Sequence, residues 1–160
     1  MNKGQVIEAT EDTITRYEVW THRDEQGRVI WTKEVIVTRD SKGRFVTWKP
    51  AELYRIAITI RNYPIHHVYY DYTLYYYHYD KKHIESIIED LKQEAIKGAE
   101  KYIGYPYDEW WSKPKEPEEI REMVGEEPIT ELRVSDIEPV KFNVDLIGTY
   151  EEEWKKRERK

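Results

Sequence analysis

The chain has no cysteine, and this one absence removes disulfide frameworks, cysteine-ligated zinc and iron–sulfur sites, and thiol nucleophiles together. Any metal must therefore be held by histidine and carboxylate. Glycine and proline are scarce, seven of each in 160 residues, which excludes collagen-like and low-complexity classes. No run of about 18 apolar residues occurs, as a membrane helix would need. The opening MNKGQVIEAT lacks the apolar core of a signal peptide. The expectation is a soluble, cytoplasmic protein with no membrane partner. Serine is rare too: Ser41, Ser86, Ser112 and Ser135 are the only four, and none sits in a nucleophile-like turn. The phosphate-cradling GxxxxGK pattern, GxGxxG, GxSxG, HExxH and the calcium-loop pattern are all missing, which disfavours nucleotide-driven motors, common hydrolases and zinc proteases.

What the chain does contain is charge and phenol rings. There are 26 Lys and Arg against 32 Asp and Glu, for a net charge of -6, with 14 Tyr and 6 Trp but only 2 Phe. So many aromatic and β-branched residues supply burial that a disordered chain lacks. The length suits one domain, burying about two-thirds of the unfolded chain's surface. The charge is unevenly placed: residues 1–80 carry 11 basic and 11 acidic groups, and the whole excess falls in residues 81–160. An acidic belt at 108–138 holds 11 carboxylates against Lys113, Lys115, Arg121 and Arg133.

Two short stretches echo one another, Asp24-Glu25-Gln26-Gly27-Arg28 and Asp40-Ser41-Lys42-Gly43-Arg44. In each, an aspartate opens a turn and a glycine three residues on supplies positive φ, so residues 14–49 read as a β-meander. Tyr54 to Arg61 alternates strictly, with Tyr54, Ile56, Ile58 and Ile60 on one face, and residues 54–79 read as a central hairpin. Asp80 caps a helix over 81–103, with Ile84, Ile87, Ile88, Leu91, Ala95, Ala99 and Tyr102 on one stripe. A loop with Trp110-Trp111, a short helix from Pro117 to Val124 and two strands, Ile129 to Val134 and Val140 to Ile147, complete a domain over 1–148. Residues 149–160 form a charged tail. The fold class expected is α+β: a single mixed or mainly antiparallel sheet of five to seven strands, with one long amphipathic helix packed on a face.

Three constellations carry chemistry. His78, Asp80 and His83 gather where strand meets helix, and two imidazoles with a carboxylate suit Zn, Mn or Fe; hydrogen-bonded surface histidines are the plain alternative. Lys81 and Lys82 flank the helix start, where an anion is favoured. Glu85 and Glu89 lie one turn apart, as carboxylates holding Mg²⁺ or Mn²⁺ would, or as ordinary members of a solvated helix face pairing with lysines. On the hairpin's odd face stand Arg55 and Arg61 with Tyr69, Tyr75 and Tyr77, a pattern suited to phosphate contacts and base stacking. Covering by the meander, or a homo-oligomer interface, accounts for the same tyrosines.

In overall character, short, cysteine-free and rich in Tyr, Ile, Glu and Lys, with the hairpin Arg39-Asp40-Ser41-Lys42-Gly43-Arg44-Phe45, the chain resembles small proteins encoded by viruses of hyperthermophilic acidophilic archaea. The resemblance implies DNA processing in a host cytoplasm, since some such proteins are metal-dependent nucleases that use an acidic residue. The expected function is a nucleic-acid-processing protein, a divalent-metal nuclease acting on DNA with Glu85 and Glu89 as catalytic groups. The alternative is a non-enzymatic interaction or virion-type protein. It would bind a protein partner or itself through the tyrosine face and the acidic belt.

Overall fold

A computed structural model describes residues 5–65, 68–103 and 129–158 of the chain. The elements run β1 (Val6–Ala9), β2 (Thr13–Arg23), β3 (Val29–Asp40), β4 (Phe45–Pro50), β5 (Leu53–Ile65), β6 (Val68–His78), α1 (Lys81–Ser86), α2 (Ile88–Ile103), β7 (Ile129–Val134), β8 (Glu138–Val140) and β9 (Gly148–Glu158). They belong to two compact units, Met1–Leu53 with Val140–Ile147, and Tyr54–Pro139 with Gly148–Lys160. Among the described residues no helix is long and apolar enough to cross a membrane.

The α+β character is present, but the strands form two sheets rather than the single sheet expected. One is ordered β1-β2-β3-β4; the other is β7-β5-β6-β9 with β8 also on β5. The reason lies in which strand edges are filled. β5 pairs with β6 from Tyr54↔His78 to Ile65↔Val68, and its other edge takes β7 from Ile58↔Val134 to Tyr63↔Ile129. No edge of β5 is left for the meander, so β2 to β4 close on each other and on β1.

In the first unit the twin turns form as their sequence demands. Gly27 and Gly43 have φ of 83° and 82°. Asp24 accepts from the Gln26 and Arg28 amides, and Asp40 accepts from those of Lys42 and Arg44, with the arginine Nε of each turn closing on the same carboxylate. The Arg44 amide and its partners hold the Asp40 carboxyl below its ordinary value. Residues 140–147, expected as a strand, instead leave β8 at Val140 and turn through a 3-10 segment, Val144–Leu146. Asn143 starts that turn by accepting from the Asp145 amide at 3.0 Å, a local bond that competes with strand pairing. Phe142 lies 4.9 Å from Tyr17, ring to ring.

The Tyr17 hydroxyl donates to Glu34 at 2.5 Å. That bond, then burial, then the Glu34 charge push its pKa up to about 12 from 10.0. The stability this contact contributes is therefore complete below pH 10 and is lost as pH rises through about 12. We expect Tyr17→Phe to remove one group titrating near pH 12 from the tyrosinate absorbance of the protein. A Tyr17→Phe curve identical to that of the parent would show the assignment to be wrong.

In the second unit the alternation of β5 is realised. Ile56, Ile58 and Ile60 pack with Tyr72 and Leu74 of β6, Leu132 of β7 and the helix stripe Ile84, Leu91, Ala95, Ile96 and Ala99. The helix expected over 81–103 is broken at Ile87, whose φ of -115° and ψ of 12° end α1 before α2 starts. The Ile87 amide bonds the Ile84 carbonyl three residues back, a tightened terminal turn. Asp80 caps α1 as expected, accepting from the Lys82 amide. The 149–160 run, expected as a charged tail, supplies β9, which pairs with β6 from Tyr77↔Gly148 to Val68↔Glu158. Gly98 of α2 is also fitted to its surroundings, because a Cβ there would overlap the phenol ring of Tyr72.

Candidate functional site

The corner between β6 and α1 does bring His78 and His83 together, with ring centroids 4.1 Å apart. One nitrogen of each is engaged, however. His78 Nδ1 accepts from the Asp80 amide at 3.0 Å, and His83 Nε2 shares a 3.0 Å hydrogen bond with the Tyr76 hydroxyl. The Asp80 carboxylate is turned to the Lys82 amide. Among the described residues no group of three His, Cys, Asp or Glu converges as a metal site. Lys81 and Lys82 are exposed beside it. Glu85 and Glu89 fall on either side of the Ile87 break; both are exposed, and Glu89 pairs with Lys92 at 3.1 Å. His66, His67, the Trp110-Trp111 loop, the Pro117 to Val124 helix and most of the acidic belt lie outside the described residues.

The odd face of the central hairpin is opposite the helices and half-exposed. Its arginines among the described side chains already have partners. Arg61 makes two bonds to Asp71, at 2.8 and 3.1 Å, Arg55 pairs with Glu138, and Arg133 pairs with Glu131 at 2.5 Å. Tyr75 donates to Glu152 at 3.1 Å and lies under the Arg55 guanidinium, and Tyr77 meets Tyr150 edge-on at 5.5 Å. The Glu138 and Tyr77 contacts raise the Arg55 pKa. Burial and the Glu152 bond raise that of Tyr75. The side chain of Tyr69 is outside the described set. Among its described side chains this face is a network of ion pairs and phenols, with three arginines against four carboxylates.

A different surface keeps its aromatics open. Antiparallel register puts Arg16, Glu18, Trp20 and His22 of β2 on the same face as Trp31, Lys33, Val35, Val37 and Arg39 of β3, with Trp48 of β4 opposite Val37. Trp31 is 46% and Trp48 38% exposed. Trp20 and Trp48 meet at 5.2 Å, Lys33 sits 4.4 Å over the Trp48 ring, and His22 stacks on Trp31 at 5.5 Å. Beneath them Val35 and Val37 are fully buried.

Glu18 organises this face. It is only 3% exposed, and it accepts two bonds from Arg39 and one from Trp20 Nε1 at 3.3 Å. Burial pushes its carboxyl up, but the Arg39 and Trp20 bonds with the Arg39 and Arg16 charges outweigh burial, and its pKa lies below the ordinary value.

Sequence reasoning overlooked these tryptophans because they are scattered from 20 to 48. The turn signal at Asp24 to Gly27 sets His22 against Trp31, and from there period-two parity would have gathered Trp20, Lys33 and Trp31 on one face. No known protein family, no curated protein and no solved structure matches this chain.

Proposed function

We propose that the protein binds single-stranded nucleic acid, without reading its sequence, on the tryptophan face of β2, β3 and β4. The observation that supports this is the gathering of part-exposed indoles and a cation on one sheet face, Trp31 and Trp48 with Lys33 over the Trp48 ring. Bases stack on indole faces regardless of identity, and the cation beside Trp48 meets the backbone phosphate. The geometry suits a strand lying along the sheet. Alternate residues of a β-strand are about 6.8 Å apart, roughly twice the 3.4 Å rise per nucleotide of a stacked strand. The net charge of -6 is no obstacle, because residues 1–50 carry nine basic and eight acidic groups and the excess negative charge belongs to the second half.

Titration with a short oligothymidylate at low salt should quench tryptophan emission. Trp31→Ala and Trp48→Ala should each weaken binding by roughly 5- to 100-fold, the usual loss per stacked base. Lys33→Ala should lower the salt dependence by about one counterion. Unchanged emission together with no retention of the oligonucleotide would exclude this reading. The same reaction with Mg²⁺ or Mn²⁺ asks whether the bound DNA is also cut. Shortening that Glu85→Ala and Glu89→Ala both abolish would extend the function to a nuclease, with His78, Asp80 and His83 as the neighbouring metal candidates.

One observation favours a second reading. Val29 and Ile30 at one end of the sheet and Phe45 and Val46 at the other are at least half exposed and carry no charge. A molecular mass by light scattering that doubles with concentration, in protein that ignores oligonucleotides, would favour a homo-oligomer through this sheet.

A further inference from the structure

Resting on that binding reading, we propose that the cavity at the Arg16 end of the tryptophan face takes a phosphomonoester, the phosphorylated end of a single strand. The cavity is about 370 Å³, with Ile14 as an apolar wall, Arg16, Glu18 and Arg39 along it, and Asp40 and Ser41 of the β3–β4 turn closing it. A strand running from His22 and Trp31 past Trp20 and Trp48 meets this turn as a wall. It therefore presents an end there rather than an interior phosphate.

The charges that face the cavity are unequally committed. Glu18 is engaged by Arg39 and Trp20, and Asp40 by the Lys42 and Arg44 amides and by Arg44 Nε. Neither carboxylate is free to repel an anion fully. Among the described residues the Arg16 guanidinium makes no hydrogen bond and acts on Glu18 only through its charge. The Ser41 hydroxyl, which lines the cavity, is likewise uncommitted among the described residues; Lys42 stands next to it on the turn, outside the lining, and its side chain makes no bond among them. A guanidinium and a hydroxyl in the cavity, with an ammonium on the adjoining turn, are donors of the kind that phosphate chemistry calls for. A terminal phosphate carries about -1.5 to -2 at neutral pH, more than the single charge of an interior diester, so this site discriminates between them.

The sister turn is an internal control. Asp24 to Arg28 repeats the backbone and hydrogen bonding of Asp40 to Arg44, yet Glu25 and Gln26 stand where the second turn has Ser41 and Lys42. The scaffold does not require Ser-Lys at its tip. The double substitution Ser41→Glu with Lys42→Gln therefore installs residues that the same turn already accommodates, and it removes the donors without endangering the fold.

The test compares oligothymidylates bearing a 5′-phosphate, a 3′-phosphate or neither. One phosphorylated form should bind about tenfold tighter than the unphosphorylated strand, as a charge-assisted contact of this kind provides. Arg16→Gln and the turn double variant should each erase that preference, and the turn double variant should change the affinity for the unphosphorylated strand by no more than about twofold, since stacking carries the rest. Trp31→Ala should weaken all three alike. Equal binding of the three strands, with Trp31→Ala still weakening them, overturns the cavity proposal and leaves the binding face standing. Failure of every strand to bind overturns both. A free nucleoside monophosphate that binds as tightly as the strand would make this a mononucleotide site and would also overturn the strand-end assignment.

Discussion

Replacing Gly98 by alanine should destabilise the protein, although alanine is the better helix former. In an exposed helix the exchange would stabilise by about 0.8–1 kcal/mol. Here the added Cβ would overlap the ring of Tyr72, a side chain that is 1% exposed and enclosed by Ile60, Leu74 and the α2 stripe. Forced overpacking of a close-packed site costs about 1–3 kcal/mol and sometimes more. The net loss should be about 1–2 kcal/mol, a fall in Tm of roughly 2–8 °C for a chain of this length. Shortening the partner should reverse the sign of the exchange. In a Tyr72→Leu background the same Gly98→Ala change should be neutral or stabilising, and thermal melts of the four proteins form a double-mutant cycle. Additive effects in that cycle would show that ring and helix do not meet as described.

Glu18→Ala should be the second large loss, about 3 kcal/mol. Breaking a buried ion pair by removing one partner typically costs 3–5 kcal/mol, because the other charge stays behind unpaired. Arg39 retains 30% exposure of its side chain and regains some water, which places the expectation at the lower end. Trp20 loses its acceptor in the same step, so its near-ultraviolet circular dichroism should weaken with the melt. Glu18→Gln keeps an acceptor in place and should cost less, about 1–2 kcal/mol.

The pH dependence has a definite direction. The folded pKa of Glu18 is lowered, so its contribution is complete above the unfolded glutamate value of about 4.3 and is lost as pH falls through the folded value. The parent and Glu18→Gln should therefore differ in stability at neutral pH and converge in acid. A gap that stays constant down to strongly acidic pH would mean that the ionised carboxylate is not what holds this face.

Local signals in the chain carried much of the architecture. Asp and Gly at fixed offsets placed both turns of the meander, strict alternation placed β5, and an aspartate before an apolar stripe placed the start of α1. What these signals do not encode is which edges find each other. The division into two sheets depends on β7 and β9 occupying the edges of β5 and β6, an outcome of pairing over long separations. β9 was hidden because EEEWKKRE is charged at nearly every position, and a strand at a sheet edge tolerates charge that a central strand would not. The binding face was hidden for a related reason. Parity within one strand was legible at Tyr54 to Arg61, but Trp20, Trp31 and Trp48 meet only once three strands are in register. Tyr75 and Tyr77 did fall on the open side of their sheet. Arg55 and Arg61 beside them turned out to be neutralised by Glu138 and Asp71, partners distant in sequence or across the hairpin.

The interleaving of the two units also governs the order in which the chain can fold as it is made. The meander is finished early, but its unit includes residues 140–147, and the second unit has its β6 edge open until 148–158 arrives. Tyr75 waits for Tyr150, and Tyr17 waits for Phe142. Neither unit is complete on the ribosome until nearly the whole described chain has emerged. Nascent chains stalled before residue 140 should therefore remain sensitive to protease and dependent on chaperones, because surface meant for late partners stays uncovered.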